Sequence, residues 1–137
     1  MGEQSPGSDP LARLLSGLRP RLVPGVFVFT HTAGPAPDCR PLVMVREDEG
    51  LTLVLEQAEA DRLGLAYDQP QALITLGVQS SLSAVGLTAA VATALAAHGV
   101  SCNVVAGFFH DHLFVPQERE SEALDVLARL SRSTGRG

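Results

Sequence analysis

The stretch GFFHDHLFVP, residues 107–116, places two histidines around an aspartate between two apolar runs. Two imidazoles and a carboxylate form a ligand set that suits several divalent metals, and His110 and His112 would share one face of a chain that stayed extended through Asp111. Asp is also a turn residue, because its side chain caps nearby backbone N–H groups, and a tight bend removes the spacing that a metal needs. We therefore expect residues 110–112 to form the tip of a β-hairpin. The alternatives are a small metal-dependent enzyme at His110 and His112, or histidines that border a ligand site or a contact between lobes.

A second titratable cluster, Glu47-Asp48-Glu49, precedes Gly50 and lies between two β-rich runs. Three carboxylates are compatible with a metal or with general-acid chemistry, but neighbouring side chains alternate in direction along a strand. A solvated charge run is the usual content of a hairpin tip, so we expect a turn here. The motifs G-x-S-x-G, G-x-G-x-x-G and the Walker loop do not occur in the sequence. We expect no enzyme, no metal and no cofactor.

The segment Gln79-Ser80-Ser81 leads into a helix that the sequence pattern predicts over residues 82–98. Ser80 or Ser81 is placed to cap this helix, and the free N–H groups and positive dipole end of its first turn attract a carboxylate. Gly86, one turn in, would let a ligand or another backbone approach closely. The helix is apolar nearly all round, which predicts a second contact with another lobe or with a partner subunit.

Composition excludes several classes of function. The chain has 137 residues, a net charge of −5, and ten arginines with no lysine. The arginines are scattered singly without interleaved aromatic residues, which argues against a nucleic-acid partner, and no apolar stretch is suited to span a membrane. The opening residues lack the basic and apolar regions of a secretory signal, so we expect a cytoplasmic protein. Cys39 and Cys102 belong to no C-x-x-C pair and are expected to be reduced thiols.

Helix and strand signals alternate along the chain in two similar halves. The predicted elements are helices at 9–18, 56–64, 82–98 and 117–133, and strands at 25–32, 41–48, 50–57, 71–79, 101–109 and 113–116. The predicted order of elements is α-β-β-β-α in the first half and β-α-β-β-α in the second, and each order is part of a ferredoxin-like fold. We expect two small lobes that share one sheet system, with helices on one face. Residues 71–79 would close the first lobe while opening the second, or one half would lend a strand to the other.

The run SSLSAVGLTAAVATALAAHGVSCNVVAGFFHDHLFVP and the upstream segment VREDEGLTLVL resemble the ACT domain family, in particular short stand-alone bacterial proteins with two ACT-like units. The resemblance extends over roughly residues 22–132. It implies an α+β fold of ferredoxin-like βαββαβ ACT units in tandem, with antiparallel sheets and helices on one face. The corresponding divisions are a disordered N-terminus at 1–8, an N-terminal ACT-like unit at 9–70, a C-terminal ACT unit at 71–132 and a flexible tail at 133–137.

The same resemblance implies a non-catalytic regulatory module that binds a small molecule, usually an amino acid, where two ACT units meet. Family ligands contact the loop from the first strand into the first helix and the start of the second strand. Carried onto this sequence, the ligand-binding positions are Gln79, Ser80, Ser81, Leu82, Val85, Gly86 and Leu87, followed by Ser101, Cys102, Asn103 and Val104. Asn103 matches a position where related domains often place an Asn whose amide meets polar groups of the ligand.

The resemblance also implies partners for the chain. A regulatory ACT protein usually joins the module to a catalytic domain, so we expect this chain to be a free-standing sensor or to act on a separate regulated protein, and to form a homodimer or larger oligomer. An interaction adaptor that uses the apolar helix 82–98 to bind another protein is the alternative from a different class.

Overall fold

A six-stranded antiparallel sheet carries four α-helices in the part of the chain that the computed structural model describes, residues 9–81 and 84–135. The elements in chain order are α1 (Pro10–Ser16), β1 (Pro20–Thr32), β2 (Val43–Glu47), β3 (Gly50–Glu56), α2 (Gln57–Leu63), β4 (Gln71–Leu76), α3 (Leu87–Ala97), β5 (Asn103–Ala106), β6 (Asp111–Pro116), a 3-10 turn (Gln117–Arg119) and α4 (Glu120–Gly135). No helix within the described ranges is both long and apolar enough to cross a membrane.

Local signals explain where several elements begin and end. The Asp9 side chain accepts a hydrogen bond from the Leu11 N–H at 3.1 Å, and Pro10 opens α1, as the sequence predicts. Residues 48 and 49 form the turn of the β2–β3 hairpin, with Glu47 opposite Gly50. Helix α2 ends at Gly64, which is left-handed with φ of 69°. These three features of the first half are confirmed.

The strand order β2-β3-β1-β4-β6-β5 shows how the two halves are joined. The last part of β1, Phe27–Thr32, pairs with β3, whereas its first part, Pro20–Val23, pairs with β4. The order β2-β3-β1-β4 is that of a ferredoxin-like unit, and β1-β4-β6-β5 repeats the same order in the second half. Strands β1 and β4 therefore serve both units, which confirms the expected sharing of one sheet system.

Strand β1 is longer than the predicted strand at 25–32 because it begins at Pro20. The register with β4 shifts between Val23 and Phe27, where Pro24 and Gly25 lie, and Gly25 has φ of 115°. Proline is tolerated at the first residue of a strand and at a bulge, so both prolines fit β1. Their position after α1 suggests that they end a helix, but α1 already ends at Ser16 and both prolines belong to β1.

The apolar core lies on both sides of the sheet, namely the helix-covered side and the opposite side. On the helix-covered side, α1, α3 and α4 pack on β4 and β6 through fully or nearly fully buried side chains, among them Leu15, Leu18, Ile74, Leu76, Leu87, Val91, Leu95, Leu113 and Leu127. Helix α2 contributes Ala60 to a neighbouring cluster on the same side, with Val28, Leu53 and Leu55. On the opposite side the Phe29 and Phe114 rings meet edge to face at 5.2 Å, across the intervening strand β4. Helices on one face of a curled sheet are thus confirmed.

Two further expectations differ from the structure. Strand β4 ends at Leu76, three residues before the end of the predicted strand at 71–79, and all six of its residues are buried because the strand lies in the middle of the sheet. Helix α4 continues to Gly135, so residues 133–135 are helical and are not part of a flexible tail. The disorder expected for residues 1–8 and the flexible tail expected at residues 136 and 137 fall on positions outside the described residues.

Candidate functional site

The start of α3 lies later in the chain than the sequence pattern predicts. The helix begins at Leu87, and its N-cap is Gly86, which is left-handed with φ of 96° and makes no side-chain capping bond. Residue 81 is not helical, and the Ala84 N–H donates to the Ser81 carbonyl at 3.0 Å. The prediction that Ser80 or Ser81 caps a helix at 82–98 is therefore wrong. A left-handed residue at 86 cannot belong to a right-handed helix. Leu82, a predicted site residue, lies outside the described residues.

Gly86 has a packing role in this structure. A Cβ at this position would lie 3.0 Å from Cδ2 of Leu11 in α1. The glycine therefore provides both the positive φ and the space for α1 to pack beside α3. The group that approaches Gly86 closely is thus the Leu11 side chain, whereas the prediction was a ligand or another backbone.

A small cavity lies between the start of α3 and the β5–β6 hairpin. Its volume is about 50 Å³, and its walls come from Ser80, Ser81, Ala84, Leu87, Thr88, Ala106, Gly107 and Asp111. Three of the predicted ligand-binding residues thus meet here, namely Ser80, Ser81 and Leu87. The Ser80 N–H donates to the Phe109 carbonyl at 3.3 Å, which holds the chain before α3 against the hairpin.

Asp111 contributes a carboxylate to this cavity. It is buried, with 8% of its surface exposed, and it pairs with Ala106 at the first position of β6. The prediction that Asp111 lies in the hairpin bend is wrong, since the bend is Gly107–His110, in which the Gly107 N–H donates to the His110 carbonyl at 2.8 Å. Because alternate residues of a strand share a face, Asp111 points to the same side as Leu113, towards α3. This period-two pattern in DHLFVP is a sequence signal that identifies Asp111.

The two histidines of the cluster have separate partners. His110, in the bend, donates from Nδ1 to the Val78 carbonyl at 3.2 Å. His112 lies in β6, not in the bend, and its Nδ1 makes a 3.0 Å hydrogen bond with the Thr75 hydroxyl on the side of the sheet opposite the helices. Burial lowers the pKa of His112, and the charge on His110 acts in the same direction. Within residues 9–81 and 84–135 no three His, Cys, Asp or Glu side chains are grouped as a metal site would require.

The other predicted ligand-binding residues are not brought together. Gln79 and Val85 are exposed, and Val85 has 87% of its surface in contact with solvent. Cys102 and Val104 pack against the helix-covered core, and burial raises the pKa of the Cys102 thiol to about 11. Asn103 is exposed at the far end of β5, opposite Phe114, and so lies away from the Ala106–Asp111 pair at the cavity.

Helix α3 buries only one of its sides. Leu87, Val91 and Leu95, four residues apart, face the core, as the period of an α-helix requires. The opposite side is exposed and consists of small residues, including Ala89, Thr93 and Ala96. The apolar character seen in the sequence is therefore mostly alanine on a solvent-facing side.

The chain belongs to the ACT domain family. Two family profiles, both described as ACT domain, match residues 6–72 and residues 68–129. The adjoining matches show two ACT units in tandem along one short chain. This confirms the predicted family, and the sheet described above shows how the two units are built into one body.

Solved structures with the same fold include one clear sequence relative. A protein from Vibrio cholerae, described as a protein of unknown function and a possible transport protein, is 45% identical; the match covers 91% of this chain and 98% of that chain, with a TM-score of 0.82. A protein from Agrobacterium tumefaciens is 20% identical over 83% of this chain and 89% of that chain, with a TM-score of 0.70. The ligand-free regulatory subunit of aspartate kinase from Thermus thermophilus is 9% identical over 83% and 97% of the two chains, with a TM-score of 0.63. The last two show a shared fold. A comparison with curated protein sequences gives no match.

Proposed function

We propose that the protein is a non-catalytic regulatory protein that binds an amino acid in the cavity beside the start of α3. The observation that carries the proposal is the buried Asp111 carboxylate, which faces the cavity together with the hydroxyl-bearing residues Ser80, Ser81 and Thr88. A carboxylate accepts hydrogen bonds from an ammonium group, and hydroxyl and backbone N–H groups donate to a carboxylate. The wall of the cavity thus offers partners for both charged ends of an amino acid.

The size of the cavity supports a shared site between two copies of the chain. Its volume of about 50 Å³ is far below the roughly 300–1,000 Å³ of pockets that enclose small ligands. One copy therefore encloses only part of the amino acid, and a second copy covers the remainder. Large apolar side chains beside the cavity are exposed, with 87% of Val85, 76% of Phe108 and 55% of Phe109 in contact with solvent. Covering such residues is a favourable contribution to dimer formation.

The regulated target of this protein is proposed to be a separate protein. A chain of this fold, matched over 97% of its length, is the regulatory subunit of aspartate kinase from Thermus thermophilus. That relative supports a role in which the ligand-bound dimer acts on another polypeptide.

A thermal-shift screen of the twenty common amino acids at millimolar concentration tests the proposal. A ligand that binds only the folded state at one hundred times its Kd adds about 2.7 kcal/mol of stability, so at least one amino acid should raise the melting temperature by several degrees. Asp111→Asn should abolish this rise, whereas Asp125→Asn, at an exposed position of α4, should preserve it. Absence of a rise for all twenty amino acids, or an equal rise in Asp111→Asn, would contradict the proposal. Light scattering with and without the ligand measures the oligomeric state.

A further inference from the structure

A larger cavity lies where β1, β3 and α2 meet the connector before β2. Its volume is about 380 Å³, within the range of roughly 300–1,000 Å³ typical of small-molecule pockets. The lining residues are Phe27, Arg40, Pro41, Leu42, Glu56 and Glu59. None of them lines the cavity beside α3.

The backbone fixes the walls of this larger cavity. Phe27 and Glu56 are direct neighbours across the β1–β3 pair, so their side chains lie on the same face of the sheet. The Arg40 N–H donates to both carboxylate oxygens of Glu59 at 3.3 Å, and the Leu42 N–H donates to the Val54 carbonyl at 2.8 Å. These hydrogen bonds attach the connector both to α2 and to β3. The segments that form the walls of the cavity are therefore held in place by these contacts.

The charged groups around the cavity differ in their contacts with other protein groups. The Glu59 carboxylate accepts the Arg40 N–H and pairs with the Arg62 guanidinium at 3.4 Å. The Glu56 carboxylate and the Arg40 guanidinium make no side-chain hydrogen bond or ion pair with the described residues. One negative and one positive group therefore border the same cavity without protein partners.

The rest of the lining is apolar. Phe27 is almost fully buried, with 5% of its surface exposed, and belongs to the core on the side of the sheet opposite the helices. Leu42 has 50% of its surface exposed, and Pro41 adjoins it. A ligand that covers this apolar surface gains hydrophobic free energy in addition to its polar contacts.

We propose that this cavity is a second binding site, for a small zwitterion that carries an apolar group. The ligand ammonium pairs with Glu56, the ligand carboxylate pairs with the Arg40 guanidinium, and the apolar group lies against Phe27 and Leu42. Charge-assisted hydrogen bonds of both kinds are the strong ones in proteins. A free amino acid with an apolar side chain and a dipeptide with apolar side chains share this chemistry. The proposal does not rest on the site at Asp111, since the two cavities share no residue.

Calorimetric titration of the full chain with leucine and with the dipeptide Leu-Leu tests the second site and distinguishes the two ligand sources. We expect one of them to bind, and Glu56→Gln and Arg40→Gln each to weaken this binding at least about ten-fold, the loss typical of a charge-assisted hydrogen bond. Matched controls at exposed positions near the β2–β3 hairpin, Glu49→Gln and Arg46→Gln, should bind as the wild type does. Asp111→Asn should also retain this binding event, which separates failure of one site from failure of the other.

Ligand analogues give a second readout that does not depend on variants. N-acetylated leucine lacks the ammonium and leucine amide lacks the carboxylate, so each should bind the second site at least about ten-fold more weakly than leucine does; the corresponding N-acetylated and amidated dipeptides test Leu-Leu. Absence of binding by both leucine and Leu-Leu would overturn the proposal. Binding that survives both Glu56→Gln and Arg40→Gln, or binding that disappears in Asp111→Asn alone, would also overturn it.

Discussion

Leu18→Ala tests whether the shared strands make the two ACT units one cooperative body. Leu18 lies between α1 and β1, is fully buried, and packs in the core that covers β4 and β6. Replacing a fully buried Leu with Ala costs roughly 2.7–5.0 kcal/mol, because apolar contacts are lost and a cavity remains. Taking about 3 kcal/mol and a urea m-value of about 2 kcal/mol/M, the unfolding midpoint should fall by about 1.5 M.

Two probes report on different parts of the chain in this experiment. The sequence has no Trp and a single Tyr, so intrinsic fluorescence comes from Tyr67, whose hydroxyl donates to Asp61 at 2.7 Å beside α2. Circular dichroism at 222 nm reports mainly on α1, α3 and α4, which form one packed layer. Because β1 and β4 belong to both units, we expect the two probes to give coincident transitions that shift equally in Leu18→Ala.

A shift seen by circular dichroism without a shift of the Tyr67 transition would refute this cooperative unit, because the first half would then unfold independently. Met44→Ala on β2 is the control, since 53% of Met44 is exposed. Surface substitutions usually change stability by no more than about 0.5 kcal/mol, so both transitions should stay within that range.

Three further predictions concern individual groups. Gly99→Ala should lower the free energy of unfolding by about 1–2 kcal/mol, because φ at Gly99 is 71° although the space around a Cβ is open. Gly86→Ala should lower it by about 1 kcal/mol more, because the new methyl group also meets a leucine of α1. Equal losses for the two variants in urea titrations would exclude that contact as a cause. Burial lowers the folded-state pKa of His112 from its usual value of 6.5, so its contribution to stability is present above that value and is lost as the pH falls below it. His112→Gln should flatten the fall in unfolding free energy between pH 7 and pH 5, and an unchanged slope would contradict this cause. Burial raises the pKa of Cys102 to about 11 from 9.0, which leaves roughly one hundred-fold less reactive thiolate at pH 8 than an unperturbed thiol has. Burial also raises the pKa of Cys39, so the expected difference between the two thiols is smaller. Ellman's reagent should modify Cys39 in a Cys102→Ser variant about ten-fold faster than Cys102 in a Cys39→Ser variant, and equal native rates would count against burial of Cys102.

Features encoded by neighbouring residues could be predicted from the sequence. Asp9 and Pro10 start α1 through a local cap, and Gly64 ends α2 because it adopts a left-handed conformation. The hairpin turn after Glu47 has the same local character. The ACT resemblance also gave the correct family and fold, since it depends on long strings of residues.

Features that depend on distant parts of the chain could not be predicted in this way. The pattern of residues 82–98 fits a helix, but the helix starts at Leu87 because Gly86 is left-handed beside Leu11, a residue near the N-terminus of the chain. Ser80 and Ser81 nevertheless reach the cavity, through the contact of the preceding loop with the β5–β6 hairpin.

The candidate site shows the same division between local and distant information. Asp111 is compatible with a turn in the sequence, but its pairing with Ala106 places it in β6 and directs its carboxylate towards α3. Asn103 matches a family position in the sequence, yet β5 carries it away from the cavity. The larger cavity at Arg40 and Glu56 was not indicated by any motif, because its residues come from three separate segments.

A crystal structure of the protein grown with the amino acid that gives the largest thermal shift tests the central claim most directly. We expect the ligand ammonium to lie within hydrogen-bonding distance of the Asp111 carboxylate, roughly 2.7–3.2 Å, with a second copy of the chain closing over the ligand. An Asp111 cavity that stays empty in crystals saturated with that amino acid, with the ligand bound elsewhere, would contradict the account.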